Sequence, residues 1–243
     1  MLGRPHPAIG IRYHGALTRS PSAGRLESGI GGRGGVGCAS IWGVSGGVWG
    51  RWNHNTHYHR LVLEAVAPGA GTALDVGAGD GLLAAELREV VPRVTAIDVD
   101  SAVLERARAT GADVEWVVGD VMSSPLPEAH FDVVASIAAV HHLPDLGAAL
   151  ARLASLTAPG GALVVIGCAK SGGPRDYLMD AVGVVQHQVL SRTRGHWHHT
   201  APIKMTFPHT YAQVKRIASA VLPGMRWRRL PLFRYAIVWH KPV

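Results

Sequence analysis

From residue 72 onward the chain alternates between two kinds of hydrophobic pattern. Short apolar runs, each about the length of a buried strand, fall at 72–76, 93–97, 113–118, 131–136 and 161–167. Between them, apolar residues recur three and four apart and predict helices over 80–90, 101–109 and 145–157. Strands without a polar face, separated by helices, argue for a mostly parallel sheet covered on both sides, so an α/β fold. Ahead of this rhythm, Leu61, Val62, Leu63 and Val66 predict a helix that stops at Pro68-Gly69. Behind it, Arg175 to Leu190 reads as a helix with Tyr177, Leu178, Val182, Val185 and Val189 on one side. Another helix starts around His209 or Thr210 and runs to Leu222, and the stretches Met225–Leu230 and Tyr235–His240 alternate as strands.

The first strand runs into Gly77-Ala78-Gly79-Asp80-Gly81, and Leu82 to Arg88 opens a helix. Glycines at 77, 79 and 81 remove Cβ atoms where backbone turns sharply and a ligand comes close. Such a loop suits a dinucleotide or S-adenosylmethionine, and the acids separate the two. A pyrophosphate wants amide donors without nearby negative charge, yet Asp75 precedes the loop and Asp80 lies inside it. A sulfonium with an α-ammonium group suits that field. Two further acids follow in order. Asp98, followed by Val99, ends the second strand, where its carboxylate can accept both ribose hydroxyls. Asp120 follows the third strand, where it can accept the adenine amino group while Val121 packs on the ring. Asp75, Asp98, Asp120 and Ser136 all fall at carboxyl ends of strands, where open sheets bind ligands.

With these residues, and with Phe131-Asp132-Val133-Val134, His141-His142-Leu143 and Pro159-Gly160-Gly161, the chain resembles the class I S-adenosylmethionine-dependent methyltransferases, in their small-molecule-like group. The matching stretches span roughly residues 72 to 167. The resemblance implies a Rossmann-like doubly wound sheet of seven strands, mostly parallel, with the last two strands as an antiparallel hairpin. It implies that Asp75, Gly77, Gly79 and Gly81 hold the methionine end of the cofactor, with Asp98 and Asp120 on ribose and adenine. It also makes residues 170–206 an insertion before the last helix, where this family builds its acceptor pocket. Ala78 stands where many relatives have cysteine, a change that leaves binding intact.

Methyl transfer from a sulfonium is an in-line displacement with an activated leaving group, so alignment and exclusion of water matter most. A base is needed only where the nucleophile arrives protonated. His141 and His142 follow the fourth strand and are the candidate catalytic bases; the plainer reading is a loop cap or packing beside the cofactor. His54, His57, Tyr58 and His59 precede the glycine loop, and His57 or Tyr58 could reach the cofactor's methionine end. His196-Trp197-His198-His199 suggests metal, but neither a cysteine pair nor a third separated element completes a site, so no metal is expected. Trp197, Tyr177 and Tyr211 could stack on an acceptor, although core packing is the commoner fate. Arg226, Arg228 and Arg229 interleave with Trp227, as on a nucleic-acid surface or as charge guarding an edge strand.

Charge is unevenly placed. Residues 61–169 hold five arginines and fourteen acids, whereas residues 170–243 hold twelve Lys or Arg and two Asp. The basic C-terminal segment motivates an RNA methyltransferase as the second reading behind a small-molecule acceptor. That reading lacks an appended recognition domain, and Ser136-Ile137-Ala138-Ala139 stands where an Asn-Pro-Pro-Tyr signature would be. A regulatory protein that binds the cofactor without turnover is the third. Residues 1–50 hold fourteen of the thirty glycines, and 1–47 reads as disordered or as a non-native extension, with a start near Val44 or Val48. Residues 48–243 form the expected catalytic domain. Cys38 and Cys168 make no disulfide or metal pattern, and no membrane span or secretory signal is expected, which places the protein in the cytoplasm.

Overall fold

The computed structural model describes residues 52–197 and 207–243. The expected extension over 1–47, and His198, His199 and Thr206, lie outside the described residues.

Seven strands form a single sheet: β1 (Thr72–Val76), β2 (Arg93–Asp98), β3 (Glu115–Val118), β4 (Phe131–Ile137), β5 (Thr157–Gly167), β6 (Arg226–Leu230) and β7 (Arg234–His240). Their order across the sheet is β3-β2-β1-β4-β5-β7-β6. All neighbouring pairs from β3 to β5 are parallel, while β7 runs antiparallel to both β5 and β6. The helices are α1 (His59–Leu63), α2 (Leu82–Arg88), α3 (Ser101–Arg108), α4 (Leu146–Leu156), α5 (Pro174–Arg194) and α6 (Tyr211–Val221). Among the described residues, no helix is long and apolar enough to cross a membrane.

Alternation along each strand sends side chains to two separate cores. Leu74, Val134, Leu163, Val165 and Ile237 pack beneath Leu150 and Leu153 of α4 and Val214 and Ala218 of α6. Ala73, Val94, Ala96, Val133 and Val164 pack on the other face against Val62 of α1 and Leu83 and Leu87 of α2. Helix starts are capped by their own sequence: the Asp100 side chain accepts from the amides of Ala102 and Val103, Asp145 from Ala148, and Thr210 and Gln213 make a reciprocal capping box. At the opposite end of the sheet from the glycine loop, the Asp132 carboxylate accepts the amides of Gly71 (2.7 Å) and Thr72 (3.0 Å), latching β1 to β4.

Three boundaries differ from the sequence pattern, each for a local reason. A 3-10 turn, Thr56–Tyr58, precedes α1, which ends at Leu63 rather than near Pro68. Strand β5 begins at Thr157, four residues early, through an irregularity opposite Phe131–Val133. A Cβ on Gly161 would lie 2.8 Å from the Asp132 carbonyl, so only glycine lets β5 approach β4 there. Helix α5 continues to Arg194 and stops where Gly195 takes a φ of 70°. Its side carrying Tyr177, Leu178, Val182, Val185 and Val189 is exposed, not buried as such a stripe suggests.

Candidate active site

The glycine loop leaves β1 and turns back over β2. The amide of Gly77 donates to the Ile97 carbonyl at 2.8 Å, and that of Ala78 to the same oxygen at 3.2 Å. Gly77, Gly79 and Gly81 have φ of 74°, 53° and 73°, a left-handed conformation that costs other residues roughly 1–2 kcal/mol. They are not equivalent. A Cβ on Gly77 would sit 2.2 Å from the Ala139 Cβ, and one on Gly81 would sit 2.4 Å from the Trp116 ring. A Cβ on Gly79 would meet nothing within 4 Å. Two glycines therefore serve close packing of the protein on itself, and only Gly79 faces open space above the loop.

Asp98 closes this groove on its β2 side. Its Oδ2 accepts the Gly79 amide at 2.9 Å and its Oδ1 accepts the Asp100 amide at 3.0 Å, which fixes the carboxylate. An ionised carboxylate has about four lone-pair positions, so acceptor capacity remains for two hydroxyls. Beside it Val99 is 71% exposed, an apolar wall standing in solvent. Asp120 is exposed, with Oδ1 accepting the Met122 amide at 2.9 Å, while Val121 is buried beneath. Arg152 of α4 braces this segment, donating to the carbonyls of Val121 (3.1 Å) and Ser124 (2.9 Å). The set Gly79, Asp98, Val99 and Asp120 thus combines an open glycine, two carboxylates and one apolar face, which fits a nucleoside without phosphates.

Other residues expected at the cofactor are employed differently. Asp75 is 2% exposed and lies under the loop. Burial pushes its carboxyl up to about 7, against the pull of His59 and the Ala84 amide and with Asp98 adding to the rise. Asp80 pairs with Arg106 of α3 at 3.6 Å. Ser136 is fully buried and its hydroxyl donates to the Val76 carbonyl at 3.0 Å, stitching β4 to β1. Tyr58 is buried with its hydroxyl donating to the Pro231 carbonyl at 2.6 Å, and His59 lies 3.1 Å from Glu86.

Next to the glycine loop, β4 is followed by Ala138, a non-glycine residue held at φ 57°, whose amide donates to the Ile166 carbonyl at 2.7 Å. The chain then makes a 3-10 turn, Val140–His142. His142 is exposed, whereas His141 is half-buried, 5.2 Å from the Phe207 ring, and lines a cavity with Val140, Leu143, Cys168, His209 and Tyr235. The Cys168 thiol in that cavity is pushed up by burial, opposed by Arg234.

The arginines of β6 do not act as one surface. Arg229 turns inward, 2.5 Å from Asp180 and 3.8 Å from Asp176 of α5, with its guanidinium 3.7 Å from the centre of the Tyr211 ring. Trp227 stacks on Tyr235 at 5.0 Å. Arg226 and Arg228 remain exposed on the edge strand. Sequence spacing of Asp176 and Asp180, four apart on one helical face, was the available signal for this anchor, but nothing local named Arg229 as its partner.

Comparison with known proteins accords with this geometry. Residues 74–165 match the family model described as "Methyltransferase domain". Over 194 residues the chain is 42% identical to an "Uncharacterized methyltransferase" of Mycobacterium tuberculosis, covering 79% of this chain and 98% of that one. It is 40% identical over 91 residues to a "Malonyl-[acyl-carrier protein] O-methyltransferase" of Serratia marcescens, covering 37% of this chain and 36% of the relative. Its fold is similar to the crystal structure of a SAM-dependent methyltransferase from Aquifex aeolicus, with a TM-score of 0.52 at 20% identity, covering 75% and 88% of the two chains.

Proposed function

The chain belongs to the class I S-adenosylmethionine-dependent methyltransferases, and from that premise we propose that it methylates a small molecule held beside the turn Val140–His142. The observation that carries this reading is the contact between Gly77 and Ala139. A Cβ at position 77 would fall 2.2 Å from that of Ala139, so the cofactor loop abuts the turn that presents His141 to its cavity. Donor and acceptor sites in this arrangement share a wall.

S-adenosylmethionine, when bound, supplies an activated methyl group on a sulfonium. This chain's residues then have three tasks. Asp98 and Asp120 accept hydrogen bonds from ribose and adenine, and Val99 covers the ring. Gly79 lets the backbone approach, while Gly77, Gly81, Asp75, Asp80 and Ser136 hold the loop's shape from behind. His141, half-buried at the cavity wall, takes the proton of an acceptor that arrives protonated; His142 stands outside in solvent. The first turns of α5 and the segment leading into α6 form the acceptor side.

Two features favour a small acceptor over RNA. The Serratia relative is named for a malonyl-[acyl-carrier protein] acceptor, not for a nucleic acid. The basic, aromatic stretch of β6 spends Arg229 on α5 and Trp227 on Tyr235, which leaves no continuous stacking platform there.

Calorimetric titration with S-adenosylmethionine and S-adenosylhomocysteine, on wild type and Asp98→Ala, tests the donor side. Micromolar binding weakened at least tenfold by the substitution is expected. Equal binding by the folded variant would overturn the assignment of Asp98. For the acceptor side, transfer of radiolabelled methyl is compared across small hydroxy, amino and carboxylic acids and total RNA. Salt-sensitive transfer to RNA alone would overturn the small-molecule reading.

A further inference from the structure

The sequence offers His196 beside two more histidines but no separated element to complete a metal site. The fold supplies two. His54, from the turn before α1, and His187, near the middle of α5, converge on His196 in the turn that follows α5. One ring nitrogen from each lies within 4.8 Å of the others. His54 Nε2 and His187 Nδ1 face each other at 2.9 Å, although 133 residues separate them. The ring of Trp52 backs all three, lying 6.2 Å from His187 in a stacked arrangement and edge-on to His54 and His196. The Trp197 amide donates to the Trp52 carbonyl at 2.8 Å, which fixes the turn carrying His196.

We propose that His54, His187 and His196 form a three-imidazole site for a divalent transition metal, taken here as Zn2+, that pins the C-terminal half of α5 to the body of the enzyme. In tetrahedral coordination with Zn–N of about 2.0–2.1 Å, ligand nitrogens stand about 3.3 Å apart. Closing from within 4.8 Å to that spacing asks a change of at most about 1.5 Å between ring nitrogens. The His54–His187 pair must open slightly, and the proton it shares moves to the outer nitrogen of the ring that carries it, so that ring changes tautomer and neither imidazole changes charge. Three imidazoles without a thiolate match Zn2+, Cu2+ or Ni2+, not Mg2+ or Ca2+. The fourth position is left for water or an exogenous ligand.

The site also has a mechanical rationale. The first turns of α5 are anchored by Asp176 and Asp180 to Arg229, and Gly183 packs closely on Leu232. Beyond Gly183, the outward face of α5 with Val185 and Val189 is exposed. His187 lies within that less secured half. The positive charge of Arg234, 2.8 Å from Asn55 Oδ1 and close to His54, opposes a cation and lowers the expected affinity.

The test uses the full chain without an affinity tag. Zn2+ is titrated against a chromophoric chelator, with the thermal midpoint followed in parallel. Co2+ serves as a spectroscopic substitute whose visible bands report tetrahedral nitrogen coordination. One equivalent of Zn2+, a raised midpoint, and at least tenfold weaker binding in both His187→Gln and His196→Gln are expected. His196→Gln lies in a turn, so it keeps the readout if the helix variant misfolds. Absence of saturable Zn2+ binding, or binding unchanged in a folded His196→Gln, would overturn the proposal.

Discussion

Replacing Asp75 by asparagine makes the sharpest demand on this structure. The carboxyl is 2% exposed, shares the space beneath the glycine loop with His59, and accepts the Ala84 amide, while its Oδ2 has no hydrogen-bond partner among the described residues. Its folded value of about 7 lies above the ordinary 3.8, chiefly because burial penalises the charge. The sign follows directly. Between those values the unfolded chain has released the proton that the native protein keeps, so stability falls as pH rises, and the loss is complete above about pH 7. At about 1.36 kcal/mol per pH unit, the full penalty is about 4 kcal/mol, of which roughly 2–3 kcal/mol accrues between pH 5 and pH 8. The Asp75→Asn side chain would be neutral throughout and nearly the same shape. It carries a constant offset for its amide nitrogen, about 1–3 kcal/mol if unpaired, but no slope. Urea denaturation of both proteins at several pH values isolates the term, since His59 and Glu86 are common to the two. The difference in unfolding free energy should move in favour of the Asp75→Asn variant by roughly 2–3 kcal/mol over that range. A difference that stays flat, or moves the other way, would refute the reading of Asp75 as a buried group that keeps its proton near neutrality.

The unequal roles of the loop glycines predict separable defects. Gly81→Ala drives a methyl to 2.4 Å from Trp116 and should lower stability by about 2–4 kcal/mol, from strain and overpacking together, in a urea melt. Gly79→Ala has open space and should cost only about 1 kcal/mol of stability while weakening S-adenosylmethionine binding tenfold or more by calorimetry; the reverse pattern would show that Gly79 does not face the cofactor. Asp132→Ala removes the acceptor of the Gly71 and Thr72 amides and should destabilise by about 1–3 kcal/mol without altering cofactor affinity. There burial raises the Asp132 carboxyl but the amides and the Thr72 hydroxyl outweigh it and hold it below its ordinary value, so this contribution fades as pH drops through the acid range. His141→Gln should lower kcat for a protonated acceptor by roughly 100- to 10,000-fold, leaving cofactor affinity intact; an unchanged kcat would reduce His141 to a wall of the cavity.

What the sequence revealed, and where it failed, divides along the range of the interactions. Strands β1, β4 and the second half of β5 are legible because burial on both faces writes itself as unbroken apolar runs, and the glycine loop because left-handed backbone selects its residue. Residue type alone did not say which way each side chain points. Ser136 shares a strand face with Val134, two residues away, and that alternation already implied a buried hydroxyl. Asp75 shares its face with Ala73 in the same way. Asp176 and Asp180 show a shared helical face but not Arg229 as its partner, and the meeting of His54, His187 and His196 carries no local signal, because each joins segments that only the closed fold brings together.

That division bears on how the site is held. The cofactor loop is secured by close contacts around a strand-turn-helix unit: Gly77 on Ala139, Gly81 on Trp116, Ser136 on Val76. The proposed acceptor side depends instead on long-range polar contacts at α5, where Arg229 joins Asp176 and Asp180. Apolar packing resists small displacement collectively, whereas a few partly exposed ion pairs are individually weak and screened by salt. The donor half should therefore stay rigid under conditions in which α5 opens. Hydrogen exchange gives the order of events: amides of β1 and β4 should be protected to near global unfolding, while those of α5 beyond Gly183 exchange earlier and are slowed by Zn2+. Equal protection of the two regions without metal would mean that α5 is secured by contacts other than those named here.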